Sequence, residues 1–357
     1  MANLYNRGLT PSQFSKYETS TISIQMHITS RCDLKCKHCY MYSEEFELED
    51  CKLENYLLFL KQVKDYCISN KKKCFIALTG GDPILSDHFW DLLYYLNNNR
   101  CIFYYVIMGN AIHITENIAN KLKELNVLGY QLSLDGLKKL HDENRRTGSF
   151  EETIKCMRVL RRVGIKVHVM FTVTGKNYMD FIPLLDYLNA LDLVDVIGFD
   201  KMIPEGRAKY REDILAPKEY RKFLYDVFLK IISSDYKFEI SFKDNMWKLL
   251  FRELGLVDPF FDNEQVLTGC LVCSEAVAVL PNGNVLLCRR FNRTIGNINE
   301  MSISSIFERR NTYYFDRQKY EKCSECELWA FCRGCIADRV EVSEKGISED
   351  IYCWKEV

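Results

Sequence analysis

The chain has 357 residues, 47% of them apolar and 27% charged, with a formal net charge of −1. That mixture supports a large buried core, arranged as two or three domains or as one large α/β unit with an appendage. The near-zero charge excludes a global basic field for gripping nucleic acid or a membrane surface.

The first 21 residues, MANLYNRGLTPSQFSKYETST, lack an apolar h-region and are read as an N-terminal extension. No run of 18 apolar residues follows, so no membrane span is expected and the chain is read as cytoplasmic. From residue 22 to 205, apolar runs alternate with helix-period segments. The runs ISIQMHI (22–28), CFIALT (74–79), FYYVIM (103–108), GYQLSL (129–134), KVHVMFTV (166–173) and VIGFDKMI (196–203) read as strands. Between the first two, Leu53, Tyr56, Leu57, Leu60, Val63 and Cys67 recur at spacings of three and four and share one helix face. SFEETIKCMRVLRRVG reads as a helix opened by Ser149 with Glu152 as a capping box and closed at Gly164.

Six strand–helix repeats predict parallel strands with helical crossovers, as an open barrel or a doubly wound sheet. In either, the active site forms at the carboxyl ends of the strands. The unusual residues fall there: Cys32 after the first strand, Gly80-Gly81-Asp82 after the second, Gly109-Asn110 after the third and Asp135-Gly136 after the fourth. Residues 206–265 read as a polar, helical bridge. Residues 266–357 lose the β/α rhythm, carry short strands around an Asn-Gly turn at 282–283, and read as a separate metal-bound domain.

Sixteen cysteines in a reducing compartment are not a disulfide framework. Cys51, Cys67, Cys74, Cys101 and Cys156 are scattered and read as small buried hydrophobes. Cys32, Cys36 and Cys39 stand on one short loop. Thiolate suits zinc, copper(I) or an iron–sulfur cluster, and three ligands leave one metal position open for substrate.

This C-x3-C-x2-C loop resembles the signature of the radical SAM superfamily, placed after the first strand of a partial (β/α)6 TIM-like barrel. The resemblance implies a 4Fe–4S cluster on Cys32, Cys36 and Cys39, with S-adenosylmethionine on the open iron. Reductive cleavage then yields a 5′-deoxyadenosyl radical that abstracts hydrogen from an unactivated C–H. TGGDP at 79–83 is similar to the family's Gly-Gly-Glu motif, with the shorter Asp82 in the acid's place. Gly80 and Gly81 would offer the methionine ammonium their carbonyls. LSLDG at 132–136 and Arg145 match the fourth-strand Ser and a later Arg, so Ser133 would contact ribose or carboxylate and Arg145 the methionine carboxylate. Asn110 stands in a ribose-contacting segment, Met202 in a sixth-strand segment beside adenine, and His38 where relatives carry an aromatic residue against adenine.

The C-terminal cysteines Cys270, Cys273, Cys288, Cys323, Cys326, Cys332, Cys335 and Cys353 resemble the SPASM extension of peptide-modifying radical SAM enzymes, which holds two auxiliary 4Fe–4S clusters. The family pairing implies Cys270, Cys273, Cys288 and Cys335 for the first and Cys323, Cys326, Cys332 and Cys353 for the second. The quartet's last gap is two residues instead of three, and the tight first pair leaves room for an open iron. Arg289 and Arg290 would raise a nearby cluster potential if they point inward; the alternative is a solvated pair.

These resemblances imply a radical SAM oxidoreductase with three clusters that matures a ribosomally made precursor peptide. The expected product is a crosslink, a cysteine thioether; carbon–carbon crosslinking and peptide decarboxylation are other outcomes of the family. Formylglycine formation of the anaerobic sulfatase-maturase type is the alternative. That family places an Asp after the Gly-x4-Cys cysteine, where this chain has Arg289. A non-catalytic zinc-bound adaptor is the alternative from another class. A flavodoxin- or ferredoxin-type donor is the expected reductant. The short segment before the first strand leaves no room for a winged leader-binding module, so a separate leader-binding protein or residues 206–265 would do that work.

Overall fold

The computed structural model describes residues 21–41, 49–209, 212–256, 276–312, 321–329, 331–332, 334–335, 337–338 and 350–355. Seven parallel strands follow one another in space as in sequence: β1 (Thr21–His27), β2 (Lys73–Thr79), β3 (Phe103–Met108), β4 (Gly129–Ser133), β5 (Lys166–Val173), β6 (Val196–Lys201) and β7 (Glu239–Ser241). The helices between them are α1 (Leu53–Ser69), α2 (Phe89–Asn98), α3 (Glu116–Glu124), α4 (Lys138–Asn144), α5 (Ser149–Val163), α6 (Phe181–Leu191) and α7 (Pro217–Ile232), and α8 (Met246–Glu253) follows β7. This is the partial barrel wall expected from the six apolar runs. The short β7 inside the bridge adds to it beside β6.

Alternation along each strand sorts the two faces. Ile22, Ile24 and Met26 of β1 are fully buried beneath the helices, and α1 meets that layer with Tyr56, Phe59, Leu60, Val63 and Cys67. Each such side chain contributes about 1.5–3 kcal/mol. The other face of the wall carries the polar strand residues, Gln25 and His27 of β1, Thr79, Gln131, Ser133, Thr172 and Asp200, among apolar ones such as Ala77 and Met170.

The cysteine-rich region begins by extending this sheet. β8 (Ala276–Val279) pairs parallel with β1, and β9 (Asn284–Cys288) and β10 (Phe291–Asn297) continue antiparallel from it. Gly283 turns the hairpin at φ 85°, as the Asn-Gly pair predicts. The hairpin thus delivers Cys288 and the two arginines after it to the barrel. α9 (Ile303–Thr312) and the one-turn α10 (Glu321–Ser324) follow.

Two local expectations fail. Ser149 is not the cap of α5; the preceding Gly148 sits at φ 85° and the capping carboxylate is Asp142, which accepts from Gly148 N and Phe150 N at 2.9 Å each. Glu152 instead pairs with Arg146. Cys101 is exposed in the turn before β3, whereas Cys51, Cys67, Cys74 and Cys156 are buried. Among the described residues no helix is long and apolar enough to cross a membrane.

Candidate iron–sulfur and nucleotide site

The loop after β1 is fixed from the side of β2. Gly81 N and Asp82 N donate to Thr29 O and Arg31 O at 2.9 and 2.8 Å. A Cβ on Gly80 would lie 2.5 Å from Thr29 O, so only glycine lets the two segments meet. The Gly-Gly-Asp segment therefore locks the base of the cysteine loop as well as facing the site.

Two of the three thiols are reached by polar side chains from other strands. Asn110 Nδ2, after β3, donates to Cys32 Sγ at 3.3 Å, and Arg145 Nη1, at the end of α4, donates to Cys36 Sγ at 3.6 Å. Cys39 N closes the loop on Cys36 O at 3.2 Å. Burial pushes the Cys32 thiol up to about 11, so its proton leaves when a soft metal takes the thiolate. N–H···S bonds of this kind tune a cluster's potential.

Asp82 is fully buried, and burial pushes its carboxyl up to about 6. Its Oδ1 accepts from Asn110 N at 3.3 Å, while Oδ2 has no partner. A buried carboxylate with one unsatisfied oxygen beside Cys32 fits a cationic group such as the ammonium of S-adenosylmethionine. Gly109, which the sequence reading gave no role, is required here: a Cβ would sit 2.4 Å from Tyr130 Oη and 2.9 Å from Asp82 Oδ1.

Arg145 and His38 both join a polar network beneath the cysteine loop. Arg145 Nε donates to Asp135 Oδ2 at 2.5 Å, and the two form a buried ion pair. Burial alone would raise the Asp135 carboxyl; Arg145, with His38 and His141, instead holds it well below the ordinary value. His38 is buried against Asn144 and Arg145, with Nε2 3.7 Å from Asp135 Oδ2. The His38 ring thus anchors a polar network under the loop. Asp135, quoted in the fourth-strand motif but given no role, is its centre: it also accepts from Thr172 N at 3.0 Å. Ser133 ends β4 on the polar face, half-buried. Met202 is 1% exposed, and its carbonyl accepts from Tyr352 Oη at 3.4 Å, which is packing against the C-terminal segment.

In the cysteine-rich region Cys323, Cys326, Cys332 and Cys353 all line one small cavity, walled by Met246 and Leu249 of α8. Leu328 N and Gly334 N donate to Cys326 Sγ and Cys332 Sγ at 3.4 Å each. Burial pushes the Cys332 thiol up to about 12. Four soft donors with backbone N–H···S bonds around one apolar cavity fit a 4Fe–4S cluster. Among the described residues no three Cys, His, Asp or Glu side chains close round a single metal ion. Cys335 and Cys288 lie apart from that cavity, both within electrostatic reach of Arg290. Cys270 and Cys273 fall outside the described residues.

Both arginines after Cys288 point inward. Arg290 donates to Asp200 Oδ1 at 2.7 Å and to Lys201 O at 3.0 Å. Arg289 is 8% exposed, with Nε 3.1 Å from Met41 Sδ and its guanidinium 5.2 Å from the Tyr40 ring. The solvated alternative is excluded for this pair.

Residues 26–188 match the model of the Radical SAM superfamily, and residues 270–327 that of the SPASM iron–sulfur cluster-binding domain. The chain is 25% identical to the cysteine-type anaerobic sulfatase-maturating enzyme of Clostridium novyi (strain NT), covering 91% of this chain and 90% of that one. It is 27% identical to the AdoMet-dependent heme synthase of Oleidesulfovibrio alaskensis, covering 92% and 86%. Its fold matches Streptococcus suis SuiB bound to S-adenosylmethionine with a TM-score of 0.72 at 19% identity, covering 94% and 77% of the two chains. It matches native anSMEcpe with bound AdoMet and Cp18Cys peptide with a TM-score of 0.70 at 21% identity, covering 93% and 94%. The cysteine loop that β2 and β3 lock in place thus lies in a Radical SAM domain, and the cysteine-rich region beyond the barrel carries a SPASM iron–sulfur cluster-binding domain.

Proposed function

We propose that the chain is a peptide maturase, which takes hydrogen from a ribosomally made peptide and closes a cysteine thioether crosslink. In this reading Cys32, Cys36 and Cys39 hold the cluster that binds S-adenosylmethionine. Cys323, Cys326, Cys332 and Cys353 hold one auxiliary cluster, and Cys288 and Cys335, with Cys270 and Cys273, hold the other. When bound, the first cluster and S-adenosylmethionine supply hydrogen abstraction from an unactivated C–H. Asp82 Oδ2 receives the methionine ammonium, and Asn110 and Arg145 set the charge on Cys32 and Cys36. Arg290, between Cys288 and Cys335, favours the reduced state of a cluster that accepts the electron released on ring closure. A flavodoxin or ferredoxin supplies electrons, and a separate protein presents the leader.

The observation that carries the thioether reading over formylglycine is the buried Arg289. The acid that sulfatase maturases place after this cysteine is absent, and a cation occupies the barrel interior instead. Two structural neighbours support a peptide substrate: SuiB bound to precursor peptide SuiA, and anSMEcpe bound to Cp18Cys peptide.

Anaerobic co-expression with each short cysteine-containing reading frame found near the gene tests this. The product should lose two hydrogens per crosslink, and the cysteine should resist alkylation. An aldehyde at that cysteine, or haem formed from a supplied iron porphyrin, replaces the reading.

The raised Asp82 carboxyl gives a pH dependence. An ammonium binds the ionised form, so affinity for S-adenosylmethionine should rise as pH climbs through about 6 and level off above it. Asp82→Asn should flatten that rise and weaken binding at pH 7 by about tenfold, read by equilibrium dialysis of the reconstituted chain.

A further inference from the structure

Arg289 is a buried cation that meets a thioether sulfur and a ring face, and among the described residues no carboxylate pairs with it. Its neighbour Arg290 shows the usual solution, an ion pair with Asp200 at 2.7 Å. Methionine sulfur is a weak acceptor, and a guanidinium taken out of water without an anion is costly.

A second unsatisfied group lies within its electrostatic reach. His27 ends β1 on the barrel's polar face, is 1% exposed, and has no partner at either ring nitrogen. Burial, then the charge of Arg289, keeps it neutral. One neutral ring thus offers a single donor within reach of a planar five-donor fork.

Arg289 lies on the Tyr40–Met41 side of the loop. The groups suited to S-adenosylmethionine gather on the other side, where Asp82 and Asn110 meet Cys32 and Arg145 meets Cys36. We propose that Arg289, assisted by His27, forms a subsite inside the barrel for a carboxylate of the peptide substrate, next to the carbon that loses hydrogen. This rests on the reading of the chain as a peptide-modifying radical SAM enzyme. A guanidinium fork matches a carboxylate bidentately, and one unpaired cation balances its single charge, which a phosphate would exceed. The carboxylate belongs either to an Asp or Glu side chain or to the peptide's C-terminus.

The test uses the full chain, reconstituted anaerobically and supplied with S-adenosylmethionine and dithionite. Four carbon-deuterated probes form two pairs: N-acetyl-aspartate N-methylamide against its asparagine counterpart, and N-acetylalanine against its amide. The readout is deuterium per 5′-deoxyadenosine formed. A carboxylate probe should exceed its amide by about tenfold, the order expected when a buried charged partner is left unpaired. The aspartate pair responding identifies a side chain, and the alanine pair the chain end. In Arg289→Met that preference should vanish. Arg289→Lys, which keeps the charge and loses the fork, should retain a smaller preference and serves if the methionine variant does not fold. Equal transfer from acid and amide, or transfer from neither, overturns the subsite. So does an Arg289→Met variant that folds yet forms no 5′-deoxyadenosine, since Arg289 would then serve the nucleotide. A parent chain that cannot cleave S-adenosylmethionine at all sinks the functional reading itself, a separate result.

Discussion

Alanine at Cys32 should bring reductive cleavage of S-adenosylmethionine below detection while the C-terminal cysteines keep their iron. The loop offers three thiols, and a cluster that must leave one iron for the nucleotide has none to spare. Removing an outer partner of a metal ligand typically costs about 10- to 100-fold, and removing the ligand costs more. The control is Asn110→Ala. Asn110 Nδ2 reaches Cys32 Sγ at 3.3 Å, so its loss should keep the iron and slow cleavage by about 10- to 100-fold. Iron content should fall by one cluster in Cys32→Ala, from about twelve to about eight atoms per chain, and stay put in Asn110→Ala. Parental yields of 5′-deoxyadenosine from Cys32→Ala would remove the loop from the chemistry.

The six long strands were legible because a wall covered on one face by helices demands apolar runs, and the first four runs lead directly into residues that gather at the site. The SPASM ladder was legible as spacing. What the sequence hid is non-local. β8 pairs with β1 across some 250 positions of chain, and nothing near Cys288 says that this pairing turns Arg289 and Arg290 inward. Arg145 and His38 come from separate stretches, and nothing in either says that Asp135, ten residues before Arg145, pairs with both. The α5 cap was misread because Ser149 and Glu152 fit the capping pattern, yet Asp142 of α4 reached the free N–H groups first. Lys201 looked like an ordinary strand end, since Asp350 lies 149 residues away.

That lysine carries the largest expected change in stability. Lys201 is 1% exposed and ion-paired with Asp338 and Asp350 at 3.1 Å each and with Asp244 at 3.8 Å. Burial would lower its pKa, but the three carboxylates raise it well above the ordinary value, so it stays charged. Asp350 passes this order to the cysteines: its Oδ2 accepts from Cys335 N at 2.7 Å, and its Oδ1 from Tyr352 N, next to Cys353, at 2.9 Å. Lys201→Met would leave the carboxylates buried without that cation, a loss of about 3–5 kcal/mol. The pH slope should also invert. In the parent, burial would raise the Asp350 carboxyl, but Lys201 draws it below its ordinary value. Its contribution is therefore present above the unfolded carboxyl pKa and lost as pH falls. Without the lysine the carboxyls move up, so the variant is most stable when they are protonated and weakens as pH rises through the carboxylate range. Thermal midpoints of the anaerobically reconstituted chain at pH 5 and pH 8 read both effects. Asp350→Asn added to Lys201→Met should restore part of the loss, because an amide leaves no buried charge behind while its oxygen still accepts from Cys335 N. A Lys201→Met midpoint equal to the parent's at both pH values would mean that the barrel and the cysteine-rich segment do not depend on this contact, and that the thiols are ordered by the clusters themselves.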